Sequence, residues 1–205
     1  MRIDYWINAE YLDETNILKL RAQYAGAKPF PHIAIKGFLR PTKARELERA
    51  LRKQQFSRKE ADLFSFSQSA DLHALRDKTL KEFLAVLQSV EVTHIVRSIT
   101  GAKITQGKAD ASAFIYGPGD HLLCHDDGVS SRRVAYILNL STLNAINGGA
   151  LTLFASKANR PTSIAKRIRP QRNSLVLFGV TRRSHHMVEE VLSGERLTAT
   201  GWFHG

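Results

Sequence analysis

The spacing of hydrophobic positions changes near Gly101. Before this residue, apolar side chains recur at three- and four-residue steps, the period of helices with one buried face. After it, apolar and polar residues alternate in short runs, which predicts β-strands. The sequence therefore divides into a helical N-terminal half and a strand-rich C-terminal half.

Three helices and one strand are predicted in the N-terminal half. Ile33 and Ile35 alternate with smaller or polar neighbours after a proline-rich start, as in a short strand. A helix with Thr42 as its N-cap follows, because Ser, Thr, Asp and Asn favour that position. The four predicted elements are a strand within residues 28–39, a helix over 42–51, a helix that begins near Ser69 and a helix over 92–99.

The C-terminal half predicts an antiparallel sheet. Its runs are bounded by Gly, Pro, Asn or charged residues, and their even spacing is typical of a sandwich or a jelly roll with helices on an outer face. We therefore predict the α+β class and a single domain. Residues 1–104 would supply the first strand and the supporting helices, and residues 105–205 the β core with a metal site. The predicted strands are 111–116, 132–140, 150–156, 174–180 and 196–203.

The composition indicates which binding partners and which cellular compartment suit this protein. Thirty Lys and Arg residues against nineteen Asp and Glu leave a net charge of +11, which suits a nucleic-acid or ribosome-associated partner. Cys124 is the only cysteine, so no intrachain disulfide can form, which is typical of a reducing compartment. The first residues carry an acid where a signal peptide needs an apolar stretch, and no apolar run is long enough to span a bilayer. We expect a cytoplasmic protein that does not enter a membrane.

The densest group of metal-capable side chains lies in residues 121–127. His125 and Asp127 are two residues apart, so on an extended strand both would face the same side. A third ligand from a distant strand, His185 or His186, would complete two imidazoles and one carboxylate. That donor set, with coordination positions left open, suits the ferrous iron of an oxygenase.

Other uses of this cluster are less favoured. His121 and His125 have the spacing of a helical zinc pair, but the glycines and proline at 117–119 and Gly128 argue against a helix. Cys124 and Asp126 alternate with His125 and so point away from its face. We expect Cys124 to be a buried neighbour and Asp126 to be an acid either at the surface or next to the metal ligands.

The segment from His186 to Phe203 resembles the iron(II)- and 2-oxoglutarate-dependent dioxygenase superfamily, in its prolyl-hydroxylase-like branch. There an H-x-D…H triad is followed about ten residues later by a basic residue, the position of Arg196. A buried guanidinium can bind the far carboxylate of 2-oxoglutarate through two parallel hydrogen bonds. The resemblance also implies that Thr198 and Tyr116 hold this co-substrate.

The resemblance extends over most of the chain. It is carried by PFPHIAIKGFL, YGPGDHLLCHDD, NGGALTLF and PQRNSLVLF. LLCHDD and RLTATGWFHG are most similar to the ribosomal prolyl 3-hydroxylases, a eukaryotic group that acts on a small-subunit ribosomal protein. The resemblance implies a double-stranded β-helix and hydroxylation of a prolyl C–H bond in a protein or peptide substrate. It also implies iron(II), 2-oxoglutarate and O2, with ascorbate as a further cofactor and succinate and CO2 as co-products.

The family pattern distinguishes the two adjacent histidines. In H-x-V-x-x-V only His186 places valines at 188 and 191, so we predict that His186 is the ligand and that His185 packs on the opposite side. Ser184, Asn139 and Trp202 align with positions near the site and are candidate contacts to the ligands or the substrate. Segments 141–147 and 157–168 are candidate loops over the opening.

Three alternative functions stay open at this stage. The same chemistry could act on a small molecule, or on a nucleic acid drawn by the arginines at 132, 133, 167, 169, 172, 182 and 183. Aromatic residues are not interleaved with these arginines, so base stacking is not indicated. A jelly roll without metal, or with zinc, could instead serve only for binding. Arg196 and Thr198 beside a complete triad disfavour this last alternative.

Overall fold

The computed structural model describes residues 2–205, with four α-helices, all in the N-terminal half, and eleven strands. The helices are α1 (Glu14–Gly26), α2 (Pro41–Arg52), α3 (Lys78–Leu87) and α4 (Val90–Thr100). The strands are β1 (His32–Lys36), β2 (Phe56–Ala61), β3 (Phe64–Ser69), β4 (Ser112–Tyr116), β5 (His121–His125), β6 (Arg132–Asn139), β7 (Leu151–Lys157), β8 (Arg160–Ile168), β9 (Ser174–Gly179), β10 (His186–Val188) and β11 (Arg196–His204). Short 3-10 helices occur at Ile3–Tyr5, Ala9–Leu12, Leu72–Ala74 and Ala145–Asn147.

All strand pairs are antiparallel, in the order β1-β9-β6-β11-β4-β3-β5-β10-β7-β8, with β2 attached to β3. Strand β3 pairs with both β4 and β5, so the sheet folds over at β3 into two facing halves. The result is a nearly closed jelly roll, and the predicted α+β class and double-stranded β-helix are confirmed.

The larger half of the sheet has apolar side chains on both faces. Alternate residues of its strands, such as Tyr136 and Leu138, pack with the helices in one large core. The intervening residues, such as Ile137 and Phe178, pack inside the roll against Leu151 and Leu153 of the opposite half. The predicted helical layer on one outer face is confirmed, and it leaves the interior of the roll for a site.

Two predicted helix starts are wrong. The helix expected from Ser69 begins at Lys78, because Ser69 ends a strand paired with β2. Asp77 caps this helix by accepting a hydrogen bond from the amide of Leu80 at 3.1 Å. Thr42 is not a cap either, since Pro41 already occupies the first turn of α2, where its missing N–H costs nothing.

Helix α1 and strand β8 are not predicted by the hydrophobic pattern. Helix α1 buries only Ile17 and Tyr24 of its thirteen residues, so it shows little hydrophobic periodicity. Segment 157–168, expected as a loop, is mostly strand β8, in which every residue except the last is exposed. A strand with both faces in solvent does not alternate in hydrophobicity, which is why the pattern failed. Segment 141–147 is irregular and ends in a 3-10 turn, as expected of a loop.

Within residues 2–205, no helix is long and apolar enough to cross a membrane.

Candidate metal centre and anion pocket

The structure brings His125, Asp127 and His186 together. One potential ligand atom from each lies within 4.8 Å of the others. The Nε2 atoms of His125 and His186 lie 3.6 and 3.5 Å from the two carboxylate oxygens of Asp127. Two imidazoles and a carboxylate therefore converge as the sequence analysis predicted.

The backbone conformation that places Asp127 differs from the extended strand expected from the sequence. Strand β5 ends at His125, and Asp127 lies in the following loop with φ of 61°, in the left-handed region. Asp is among the few non-glycine residues that tolerate this conformation. A turn, rather than strand alternation, brings the carboxylate back toward the histidines. His186 is placed by pairing of β10 with β5, in which His186 is directly opposite His125.

Backbone carbonyls fix the orientation of both imidazole rings. The Nδ1 atom of His125 lies 2.8 Å from the carbonyl oxygen of Leu123, and that of His186 lies 2.8 Å from the carbonyl oxygen of Ser184. A proton on Nδ1 leaves the lone pair on Nε2 free for a metal. Burial, with the neighbouring His125 as a second cause, lowers the pKa of His186 and favours the neutral ligand form.

The other candidate ligands lie outside the cluster. His185 is buried on the opposite side, and its Nδ1 atom lies 3.2 Å from the hydroxyl of Ser156, as expected for a packed histidine. Cys124 is half-buried, and burial raises the pKa of its thiol. Asp126 accepts a hydrogen bond from the amide of Gly128 at 3.0 Å.

Trp202 and Arg132 both contact the carboxylate of Asp127 and support its position. The indole Nε1–H of Trp202 donates to Oδ2 of Asp127 at 3.1 Å. The guanidinium of Arg132 stacks on the indole, 3.4 Å from the ring centroid, and its Nη1 lies 3.7 Å from Oδ1 of Asp127. Among the three neighbours expected from sequence, Ser184 and Trp202 thus contact the triad, whereas Asn139 donates to Ser174 instead.

Arg196 is a buried cation. It is 2% exposed, begins β11 directly opposite Tyr116, and has no carboxylate within ion-pairing distance in residues 2–205. Its Nε–H has no hydrogen-bond partner in the part of the chain that the structure describes. Burial lowers the pKa of Arg196, as expected for a cation in an apolar environment. A buried, unpaired guanidinium is costly unless an anion binds beside it.

Arg196 and the triad line the same cavity of about 510 Å³ inside the roll. Tyr116 and Thr198 also line it, and both are buried. The ring centroid of Tyr116 is 5.4 Å from the guanidinium carbon of Arg196, and burial raises the pKa of the phenol to about 12, so it stays protonated and can donate. The cavity thus provides metal ligands together with a cationic, hydrogen-bonding pocket.

The hairpin of β2 and β3 contributes a wall that the sequence analysis missed. Phe66 and Gln68 line the cavity, and the ring of Phe66 contacts that of Phe114 edge-on at 5.3 Å between centroids. Residues 64–69, FSFSQS, alternate with the period of a strand and so could have predicted β3. A helix was predicted to begin near Ser69 instead.

The residues present fit a divalent metal ion and a carboxylate ligand bound side by side. Two neutral imidazoles and one carboxylate match ferrous iron. The Nε–H of Arg196 offers a hydrogen bond that no group in residues 2–205 accepts. An elongated anion that reaches from the metal to Arg196 would satisfy both sets of groups at once.

Comparisons with known proteins agree with this chemistry. A family model described as the 2OG-Fe(II) oxygenase superfamily matches residues 111–204. The chain is 38% identical over 182 residues to Prolyl 3-hydroxylase OGFOD1 of Xenopus laevis, covering 86% of this chain and 35% of that protein. It is 36% identical over 196 residues to Prolyl 3,4-dihydroxylase OGFOD1 of Ostreococcus tauri, covering 86% and 38%.

The chain therefore spans little more than a third of the length of these curated relatives. Among solved structures, a prolyl-4-hydroxylase of Pseudomonas putida superposes with a TM-score of 0.73 at 17% identity, covering 92% of this chain and 98% of that one. This likeness shows the shared fold.

Proposed function

Because the chain belongs to the 2OG-Fe(II) oxygenase superfamily, we propose that it is an iron(II)- and 2-oxoglutarate-dependent dioxygenase that hydroxylates a prolyl residue of a protein. The buried, unpaired Arg196 in one cavity with the His-Asp-His cluster is the observation that carries this proposal. A jelly roll used only for binding, with or without zinc, gives no reason to bury a cation opposite a metal cluster.

In this proposal His125, Asp127 and His186 hold the iron. Arg196, Thr198 and Tyr116 hold the far carboxylate of 2-oxoglutarate. When bound, iron(II) and 2-oxoglutarate would activate O2, so that one oxygen atom enters a substrate C–H bond and the other enters succinate as CO2 is released. Ascorbate would serve as a reductant that keeps the iron ferrous.

The protein's own contribution is to position groups and exclude water. Ile137, Leu151, Phe178 and Val188 form apolar walls of the cavity. In such surroundings the interaction of Arg196 with a carboxylate is much stronger than in water. The carbonyls of Leu123 and Ser184 keep both imidazole Nε2 atoms aimed at one point.

The substrate assignment rests on the relatives and on the cavity walls. Both curated relatives described above are named as prolyl hydroxylases. The rings of Phe66 and Phe114 line the cavity beside the half-exposed Gln68, so an apolar pyrrolidine ring can pack there while its peptide groups stay near polar side chains. We propose a ribosomal or translation-related protein as the substrate, and the cytoplasm as the site of action.

The substrate is tested by mass spectrometry of small-subunit ribosomal proteins incubated with the enzyme, iron(II), 2-oxoglutarate and ascorbate. We expect a gain of one oxygen atom on a proline-containing peptide, and fragment spectra would distinguish 3-hydroxylation from dihydroxylation. The Asp127→Ala variant is the inactive control. A gain of oxygen on RNA or on a small metabolite, with no change in any protein, would contradict the substrate class and leave the chemistry intact.

Trp202→Phe tests how the protein orients a metal ligand. The variant keeps the aromatic ring but loses the N–H that donates to Asp127, and we expect iron affinity to fall by about tenfold, the lower end of the effect of such outer partners. The KM for 2-oxoglutarate, measured at saturating iron, should change little. Equilibrium dialysis against iron(II) without oxygen gives the affinity.

Trp6→Phe is the matched control, since Trp6 is buried in the core shared by the helices and the sheet. It should lower stability and leave iron affinity unchanged. Equal iron affinity of Trp202→Phe and the wild type would show that this hydrogen bond does not position the carboxylate.

A further inference from the structure

The net charge of the protein is concentrated in one segment. Residues 128–188 contain ten Lys and Arg residues and no Asp or Glu. The other 144 residues carry twenty basic and nineteen acidic side chains, so they are nearly neutral. A run of 61 residues without an acid is unexpected for a solvated surface that merely keeps a protein soluble, where both signs are interspersed.

Turns of the roll bring together the segments that carry five of these ten side chains. We define the basic rim as Arg133, Lys157, Arg160, Arg182 and Arg183, all of which are exposed. The amide of Val180, just before Arg182, donates to the carbonyl of Arg133 at 2.9 Å. The Nε–H of Arg183 donates to the side chain of Asn159, in the turn between Lys157 and Arg160, at 3.3 Å.

The charges of the basic rim are not neutralised by the protein. No carboxylate lies within 4.0 Å of any of the five in residues 2–205, whereas three other arginines of the segment are paired. Those three are Arg132 with Asp127, Arg167 with Glu189 and Arg172 with Glu48. The guanidinium of Arg133 is fixed by its hydrogen bond to the carbonyl of Ser130 at 2.6 Å.

The basic rim lies next to the metal site. Arg132, which lines the cavity, directly precedes Arg133. On the other side, the hydroxyl of Ser184, which follows Arg183, lies 3.4 Å from the backbone oxygen of Asp126. A polyanion bound on the rim would therefore lie beside the residues that enclose the candidate site.

The need to keep an exposed edge strand from pairing with other chains does not explain every residue of the basic rim. Lys and Arg on an exposed edge strand prevent pairing with other chains, and Arg160 on β8 fits this role. Arg182 and Arg183 lie in the turn between β9 and β10, and Arg133 lies on β6, which pairs with strands on both sides. These three need another explanation.

We propose that the basic rim binds the phosphodiester backbone of RNA. Several separate, preformed cations without acids suit a ligand that carries one charge per nucleotide. Segments 155–173 and 180–184 contain no aromatic residue, so neither base stacking nor an aromatic anchor at a lipid interface is available. The choice of RNA over other polyanions rests on the proposed translation-related substrate. Binding should be independent of base sequence and dependent on salt.

Fluorescence anisotropy with a short labelled RNA of mixed sequence tests the proposal. Between roughly 50 and 200 mM salt, log K should fall against log salt with a slope of about −0.7 per phosphate contacted, or about −3.5 if all five side chains engage. Arg182→Ala/Arg183→Ala should weaken binding and make this slope shallower by about 1.4. Turnover of 2-oxoglutarate should be unchanged in this variant.

Arg45→Ala/Arg49→Ala is the matched control, because it removes the same charge from the exposed face of α2. It should bind RNA like the wild type. Equal weakening by both double variants, or a flat salt response of the wild type, would overturn the proposal. So would binding of phosphatidylserine vesicles or polyglutamate in preference to RNA. The assay needs no turnover, so it can fail while the dioxygenase proposal stands, and the reverse also holds.

Discussion

Asp127→Ala should abolish 2-oxoglutarate decarboxylation together with substrate hydroxylation. Asp127 supplies the only carboxylate of the three-residue cluster. Changes in outer partners of metal ligands already cost about 10- to 100-fold in metal affinity or activity, so loss of the ligand itself should exceed that range. Succinate release measures the activity, and equilibrium dialysis measures iron binding.

Asp126→Ala is the control for this prediction. Its carboxylate is adjacent in sequence but accepts a hydrogen bond from Gly128 instead of facing the histidines. This variant should retain most of the wild-type rate. The assignment of the cluster is wrong if Asp127→Ala decarboxylates 2-oxoglutarate at the wild-type rate, or if Asp126→Ala is the inactive variant of the two.

Arg196→Met should weaken 2-oxoglutarate binding and yet stabilise the protein without ligand. Loss of one partner from a buried, charge-assisted pair costs about 2–5 kcal/mol, so the KM for 2-oxoglutarate should rise about 30- to 4000-fold. Without ligand, the variant removes an unpaired buried cation and keeps an apolar side chain of similar length. We expect a gain of about 1–4 kcal/mol, by analogy with the replacement of buried ions by apolar groups.

Thermal unfolding with and without 2-oxoglutarate separates these two effects. The melting temperature should rise by about 2–4 °C for each kcal/mol gained, and the further increase on addition of 2-oxoglutarate should be lost. Arg97→Met is the control, because the guanidinium of Arg97 donates to the backbone oxygen of Ile104 and so has a structural role. It should not raise the melting temperature. A lower melting temperature for ligand-free Arg196→Met would assign Arg196 a structural role instead.

The regular part of the fold follows from the sequence because each half keeps one period. Helix α4 is capped by Ser89, whose hydroxyl accepts a hydrogen bond from Val92, and it ends at Gly101 with φ of 69°. Helix caps of this kind depend on interactions within a few residues, so they can be predicted from the sequence alone. Strand β8 could not be predicted in this way, since both of its faces are exposed and its pairing with β7 decides its conformation.

The chemical identity of the site was also present in the sequence, because donor types and spacing limit what can bind. The sequence predicts His125, Asp127 and His186 as one metal-binding cluster, and the structure brings them together. The resemblance to the dioxygenase superfamily, which has a basic residue about ten positions after the last histidine, pointed to Arg196. The preference for His186 over His185 agrees with the burial of His185 against Ser156.

The tertiary structure decided what depends on contacts between distant segments. Trp202 supports the carboxylate of Asp127 across 75 positions of sequence, and in residues 2–205 the buried Nε–H of Arg196 has no hydrogen-bond partner. The net charge of +11 follows from composition alone. The proximity of the segments that carry the five cations of the basic rim depends on the fold. Sequence determines which groups are available and their local conformational preferences. Burial and proximity arise only when the sheet folds over, because they depend on strand pairing and packing that no local pattern encodes.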